Sequence, residues 1–311
     1  MTHDEADNPY AGLLVDDAHW AFGAGQEFRP DEDPVATAVV APVPEGVDRT
    51  AAAAYCLMLG DDALVLAQRL SEWCGRAPDL EEDIALSNIA LDLLGQARLL
   101  LARAAAIDPT LPPPLPDGSP VPPEDRLAFF REESGFRNVR MVELPVGDFA
   151  ETITRILLFS TWRLALFERL AASRDSVLAA LAAKGARELA YHREFAARWF
   201  VTLAGGTQES RRRLLAALGG LWPLWHELVE THPIEVEAAA QGIGVDPGSL
   251  VVDVEPVLEQ VFATAQVEWP SIGALAGVRG RKGRDGCHTE ALSRMLAEMQ
   301  VVARAHPRGL W

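Results

Sequence analysis

The sequence predicts an all-α protein: a four-helix bundle followed by additional C-terminal helices. Three observations lead there. Long runs rich in Ala, Leu and Arg sit in a chain that is 49% hydrophobic, a composition suited to packed helices. Apolar residues recur at the three-to-four spacing of one helical face. No segment shows the period-two alternation of a half-buried strand.

The first long helix is expected from about Thr50 to Trp73, with Leu59, Ala63, Leu66, Leu70 and Trp73 on one face. Arg76-Ala-Pro breaks it, and Asp79 followed three residues later by Glu82 reads as the capping start of a second helix running to about Ile107. The acids Glu81 to Asp83 favour that helix's positive end and need no further role. The Pro-rich stretch DPTLPPPLPDGSPVPPED is a surface connection. A short helix near Leu127 and an irregular segment through Pro145 follow. A third long helix, Asp148 to Ala172, carries Ile153, Leu157, Ser160, Leu164 and Phe167 on one face. Asp175 caps the fourth, whose face reads Leu178, Leu181, Gly185, Leu189, His192, Phe195 and Trp199. Gly205-Gly206 stops it, and Thr207 caps a shorter Arg-rich helix. Further helices are expected from about Gly248 to Val267, near Ser271 to Ala276, and from Thr289 to Ala305. Two long helix pairs separated by a long connection make the bundle.

Charge divides the chain. The net charge is −17. Residues 1–48 hold eleven acids and one arginine. This acidic, Pro-rich stretch has little apolar surface to offset its ordering entropy and is expected as a mobile tail, with Trp20, Phe22 and Phe28 able to dock locally. The helical domain is expected over 49–311. Such a charge argues against nucleic-acid binding. No apolar run is expected to be long enough for a bilayer and no signal peptide opens the chain, so the expectation is a cytoplasmic protein away from membranes. Cys56, Cys74 and Cys287 match no metal or disulfide spacing and read as buried free thiols. Among 28 basic residues only Lys184 and Lys282 are lysines.

A bundle of this kind can hold a carboxylate-bridged di-iron site. It then needs one Glu from each of two helices and a Glu-x-x-His pair from each of the others, all facing inward. Hard carboxylate oxygens hold the metal charge and imidazoles complete the coordination. The central positions here are poor in such donors. Helix one offers Ala63 next to Asp61 and Asp62, helix two Leu93 and Gln96 beside Asp92, helix three Ser160, and helix four Leu189 and His192 with Glu188 one residue away. A one-residue shift turns a side chain about 100° around the helix, so Glu188 does not replace Leu189. Asp62, Asp92, Lys184, Glu188 and His192 are expected to form a buried polar network in place of a metal, because buried charges must be paired.

The runs LGDDALVLAQRLSEWCGRAPDLEEDIALSNIALDLLGQAR, ELAYHREFAARWF and KGRDGCHTEALSRMLAEMQ closely resemble the C-subunit family of the ring 1,2-phenylacetyl-CoA epoxidases, over about Ala54 to Trp311. The resemblance implies a ferritin-like fold and a non-catalytic partner of the di-iron A subunit in a bacterial multicomponent monooxygenase. In that complex O₂ epoxidises the ring of phenylacetyl-CoA, with electrons supplied by a separate NADPH-dependent reductase. Set against the catalytic partner's ligand pattern, the six positions fall at Ala63, Leu93, Gln96, Ser160, Leu189 and His192, and His192 alone is of the expected type. The resemblance therefore implies no catalytic residue and no cofactor in this chain. Di-iron would sit in the catalytic A subunit, with a further small subunit in the assembly.

Two other readings stay open at this level. An oxidase with an altered site would use Asp62, Asp92, Glu188 and His192. A CoA-ester-binding module would use the loop VRGRKGRDGCHTE, where Arg279, Arg281, Lys282 and Arg284 precede a helix start, a setting suited to phosphate. The same loop also suits an acidic partner surface or plain solvent. Arg211 to Arg213 is expected on an exposed face, and Trp222 and Trp225 in the core or at a subunit interface.

Overall fold

A computed structural model describes residues 39–309. The expectations placed on Trp20, Phe22, Phe28 and most of the acidic segment lie outside the described residues. Ten α-helices are described: α1 Arg49–Ser71, α2 Leu80–Ile107, α3 Pro123–Phe129, α4 Arg140–Glu143, α5 Phe149–Leu170, α6 Ser176–Gly205, α7 Gln208–Leu228, α8 Pro233–Ala240, α9 Val251–Thr264 and α10 Glu290–Ala305. No strand occurs among the described residues, only an isolated bridge between Val278 and Arg281.

Helix starts follow the local chemistry. Asp48, Asp79, Asp148, Asp175 and Thr207 each accept from backbone N–H groups of the first turn of α1, α2, α5, α6 and α7, satisfying donors that would otherwise be orphaned. α1 packs along α2 and α5 along α6, and α2 meets α6 to join the pairs. Trp73 Nε1 donates to Thr152 Oγ1 at 2.9 Å, tying the end of α1 to the start of α5. The stripe residues expected on the first, third and fourth long helices are buried, apart from half-buried Trp199.

Contrary to the sequence expectation, α1 and α2 are both long and apolar enough, by composition, to cross a bilayer. The burial of α1 explains its composition, because 17 of its 23 residues are enclosed by protein. α2 is buried on one face and presents leucines on the other.

The additional helices clamp onto the bundle through buried ion pairs on α1. Asp61 accepts from Arg131 Nη1 (3.0 Å) and from the Arg137 backbone (2.9 Å). Asp62 accepts from Arg284 Nη2 (2.8 Å) and from the Val139 backbone (2.9 Å). Adjacent acids on one helix thus hold the irregular segment between α3 and α4 and the loop before α10. The start of the fold is anchored the same way. Arg103 of α2 donates to the carbonyls of Val39 (2.8 Å) and Ala41 (2.5 Å) and also binds Asp175, the cap of α6. Residues 39–48, counted with the tail in the sequence, are therefore attached to the bundle.

Further features differ from the sequence expectation. The helix expected near Ser271 to Ala276 is an extended strap: Pro270, Gly273 and Gly277 interrupt it, Leu275 N donates to Pro223 O, and Arg140 binds the carbonyls of Leu275 and Ala276. α8 is an element the sequence pattern does not announce; its start is fixed by His232 and Glu235 in a reciprocal cap, with Pro233 at the first helical position. Cys56 is buried as expected, but Cys287 is half-buried and Cys74 exposed, at the open turn after α1.

Candidate functional site

All six positions where a di-iron bundle would carry ligands are buried at the centre of the helices: Ala63, Leu93, Gln96, Ser160, Leu189 and His192. Ala63, Leu93 and Leu189 offer no donor atom. Gln96 and Ser160 offer neutral oxygens, and His192 the one imidazole. Such a set does not fit a pair of hard cations, which need several carboxylates to balance their charge.

The same interior holds a buried arginine. Arg163 stands one turn beyond Ser160 on α5 and is fully buried. Its Nε donates to Gln96 Oε1 at 3.0 Å and its Nη2 to the Leu59 carbonyl of α1 at 3.2 Å. The guanidinium carbon lies 4.6 Å from the ring centre of Phe167 and 5.6 Å from that of Phe159, close enough for the rings to attract the cation. Gln96 relays the contact outward: its Nε2 donates to Glu188 Oε2 at 3.0 Å, and Glu188 lies 3.5 Å from the exposed Lys184. Gly185 makes room for this arrangement, since a Cβ there would stand 2.7 Å from the Phe167 ring and 3.2 Å from Gln96 Nε2. An organic cation fixed to the protein thus occupies the centre of the bundle.

Its electrostatics are tight. Burial pulls the Arg163 pKa down to about 10; attraction to Asp62 resists this, while Arg284 adds to it. Among the described residues no carboxylate is hydrogen-bonded to the guanidinium, and neither its Nη1 nor Ser160 Oγ has a hydrogen-bond partner. Asp62 is pushed up by burial against the pull of Arg284.

The five residues expected as one network separate into pieces. His192 Nε2 lies 2.9 Å from Asp92 Oδ2, and Lys184 pairs with Glu188. Asp62 does not join them. It turns away to Arg284, because consecutive positions on α1 point in different directions, and this corrects the expectation of a single network.

The basic loop is also not a free cluster. Arg284 is buried against Asp62 and 3.8 Å from Glu235. Lys282 pairs with Glu230. Arg281 donates to the Asp285 carbonyl at 2.6 Å, and Arg279 is exposed at a left-handed backbone position, φ 53°. The adjoining cleft, about 230 Å³, is lined by Glu227, Glu230 and Asp285 as well as His232, Lys282 and Arg284. Its cations already face carboxylates, a poor setting for a phosphate. Among the described residues, acids close enough to share a cation are Asp79, Glu81 and Glu82 at the start of α2, where Asp79 serves as the cap.

Sequence reasoning missed Arg163. The available signal was a single cation within the apolar run ILLFSTWRLALF of α5, three residues beyond the ligand position at Ser160. It also missed Arg131, the partner of Asp61, and the buried pairs Arg140–Glu227 and Glu143–His288, whose members lie far apart in sequence.

The fold defines a ferritin-like helical protein whose bundle interior holds Arg163 and Gln96. The chain belongs to the phenylacetic acid catabolic protein family, whose profile matches residues 42–311. It is 43% identical over 258 residues to the C subunit of the 1,2-phenylacetyl-CoA epoxidase of Escherichia coli (strain K12), an alignment spanning 83% of this chain and 98% of that relative.

Proposed function

We propose that this chain is the structural, non-catalytic member of a phenylacetyl-CoA epoxidase assembly in the cytoplasm, and that it scaffolds the di-iron catalytic A subunit during aerobic phenylacetate catabolism. The observation that carries the reading is Arg163 at the bundle centre, bonded to Gln96 where the catalytic pattern has a metal-binding histidine. The likeness to the epoxidase's C subunit supports it. On this reading the iron belongs to the companion chain, electrons reach it from NADPH through a separate reductase, and the assembly includes a further small subunit.

The test is co-expression with the catalytic A subunit, followed by mass and iron analysis of the purified complex and of this chain alone. A stable complex whose iron follows the catalytic chain is expected. About two irons per copy of this chain after anaerobic loading would instead favour an oxidase built on Asp92, Glu188 and His192. Saturable binding of a CoA ester by the isolated chain would favour the binding module. Either result removes the scaffold reading.

A further inference from the structure

Buried guanidinium groups in this protein are matched with carboxylates, as Arg103 is with Asp175 and Arg131 with Asp61. Six of the seven buried arginines among the described residues form such an ion pair. Arg163, the most deeply enclosed of them, is the seventh and has no carboxylate within ion-pair reach among the described residues.

Its donors are incompletely used. Nε is taken by Gln96 Oε1 and Nη2 by the Leu59 carbonyl. Nη1, which carries two N–H groups, is shut off from solvent and has no hydrogen-bond partner. One turn earlier on α5, Ser160 is 1% exposed and its Oγ is equally unpartnered. Residues three apart on a helix have Cβ atoms about 5–6 Å apart, and helical side chains lean towards the N-terminus, which directs Arg163 to the turn that holds Ser160.

Unused donors beside an unpaired positive charge call for an acceptor that is itself negative. A water molecule would satisfy the N–H and O–H groups but leave the charge uncompensated, and an unpaired buried charge is far more costly than an unpaired polar group. Asp62 attracts Arg163, but its oxygens bond to Arg284 and to the Val139 backbone. Burial also pushes both Asp62 and Glu235 up, which leaves this interior short of negative charge. A multivalent or branched anion would need more donors than one nitrogen and one hydroxyl supply. A spherical monovalent ion needs only about the space of one water, on the order of 30 Å³.

We infer that Arg163 Nη1 and Ser160 Oγ hold a buried halide ion, chloride in the cell, between the helices of the bundle. The inference concerns the interior of this chain alone and stands apart from the scaffold reading.

The experiment follows thermal unfolding of the full chain while sodium chloride replaces sodium gluconate at constant ionic strength, and locates the ion by anomalous scattering from crystals grown in sodium bromide. A rise in chloride of about a hundredfold should raise the melting temperature by about 4 °C. Arg163→Met should abolish that response. Ser160→Ala, which removes one donor to a charged partner, should move the response to chloride concentrations about tenfold higher. The bromide peak should lie within hydrogen-bond reach of Nη1, a result that needs no variant to fold. Equal melting temperatures in chloride and gluconate overturn the inference, as does a chloride response that Arg163→Met retains. An ordered water at Nη1 in place of bromide overturns it in favour of a neutral ligand. A bromide peak without any chloride response in solution marks an adventitious ion only and also overturns it. A response that Ser160→Ala leaves unchanged removes the hydroxyl from the site.

Discussion

The buried pair of Arg163 and Gln96 gives the sharpest energetic test. Lowering a guanidinium pKa from 12.5 to about 10 corresponds to a cost on the order of 3 kcal/mol for keeping the charge inside. Arg163→Met removes that cost. It also leaves Gln96 Oε1 without its donor, a loss of about 1–3 kcal/mol, and forfeits the ring contacts, about 1 kcal/mol. The opposing terms nearly cancel, so the single variant should change stability by no more than about 1–2 kcal/mol. Gln96→Leu in the native background is different. It strips a guanidinium that already has one unpartnered nitrogen of the one side-chain acceptor it has among the described residues and should cost about 3 kcal/mol or more. In the double variant that penalty disappears, giving a coupling energy of about 2 kcal/mol. Urea unfolding of the four proteins measures it. Additivity within about 0.5 kcal/mol would show that the two side chains do not act as a unit and would refute the electrostatic account of the bundle centre.

Asp62→Ala should destabilise the protein by about 3–5 kcal/mol, because the buried Arg284 keeps only the carbonyls of Arg137 and Met58 and, at 3.8 Å, Glu235, and the Val139 N–H loses its side-chain acceptor; a thermal shift equivalent to less than about 1 kcal/mol would contradict this. His288 should make stability pH-dependent. Its Nδ1 lies 2.7 Å from Glu143 Oε2 and its Nε2 3.0 Å from the Phe136 carbonyl, so with Glu143 ionised both nitrogens face acceptors and only the imidazolium satisfies both. Burial lowers its pKa, but the bond and charge of Glu143 outweigh burial and leave it above the ordinary value. The stabilisation is therefore complete below about pH 6.5 and fades as pH rises through the elevated folded pKa. The stability gap between wild type and His288→Gln should narrow on that rise, and a gap independent of pH would count against the assignment.

The bundle was legible because its signals are local. Aspartate caps open α1, α2, α5 and α6, and the inward stripes follow a period the backbone imposes. That Ala63, Leu93 and Leu189 bring no donor atom to the interior is plain from their residue types, but the contacts of the buried arginine beside them are not. Arg163 acquires meaning only when α1, α2 and α5 are brought together, and neither its contact with Leu59 nor its contact with Gln96 leaves a trace in spacing. Asp61 and Asp62 looked like flanking residues for the same reason, since their partners lie 70 or more positions away. The strap at Ser271 to Ala276 shows the converse: apolar residues at helical spacing were overruled by glycines and by Arg140 bonds to two of its carbonyls.

Arg103 also bears on how the chain is made. One side chain joins Val39 and Ala41 to Asp175, and Asp62 waits in the same way for Arg284. During synthesis Arg103 has no counter-charge until Asp175 emerges at the start of α6, and Asp62 on α1 waits for its guanidinium until nearly the last helix emerges. Contacts of such long sequence separation delay closure, so on the ribosome this protein should complete its interior late, as one event near the end of translation.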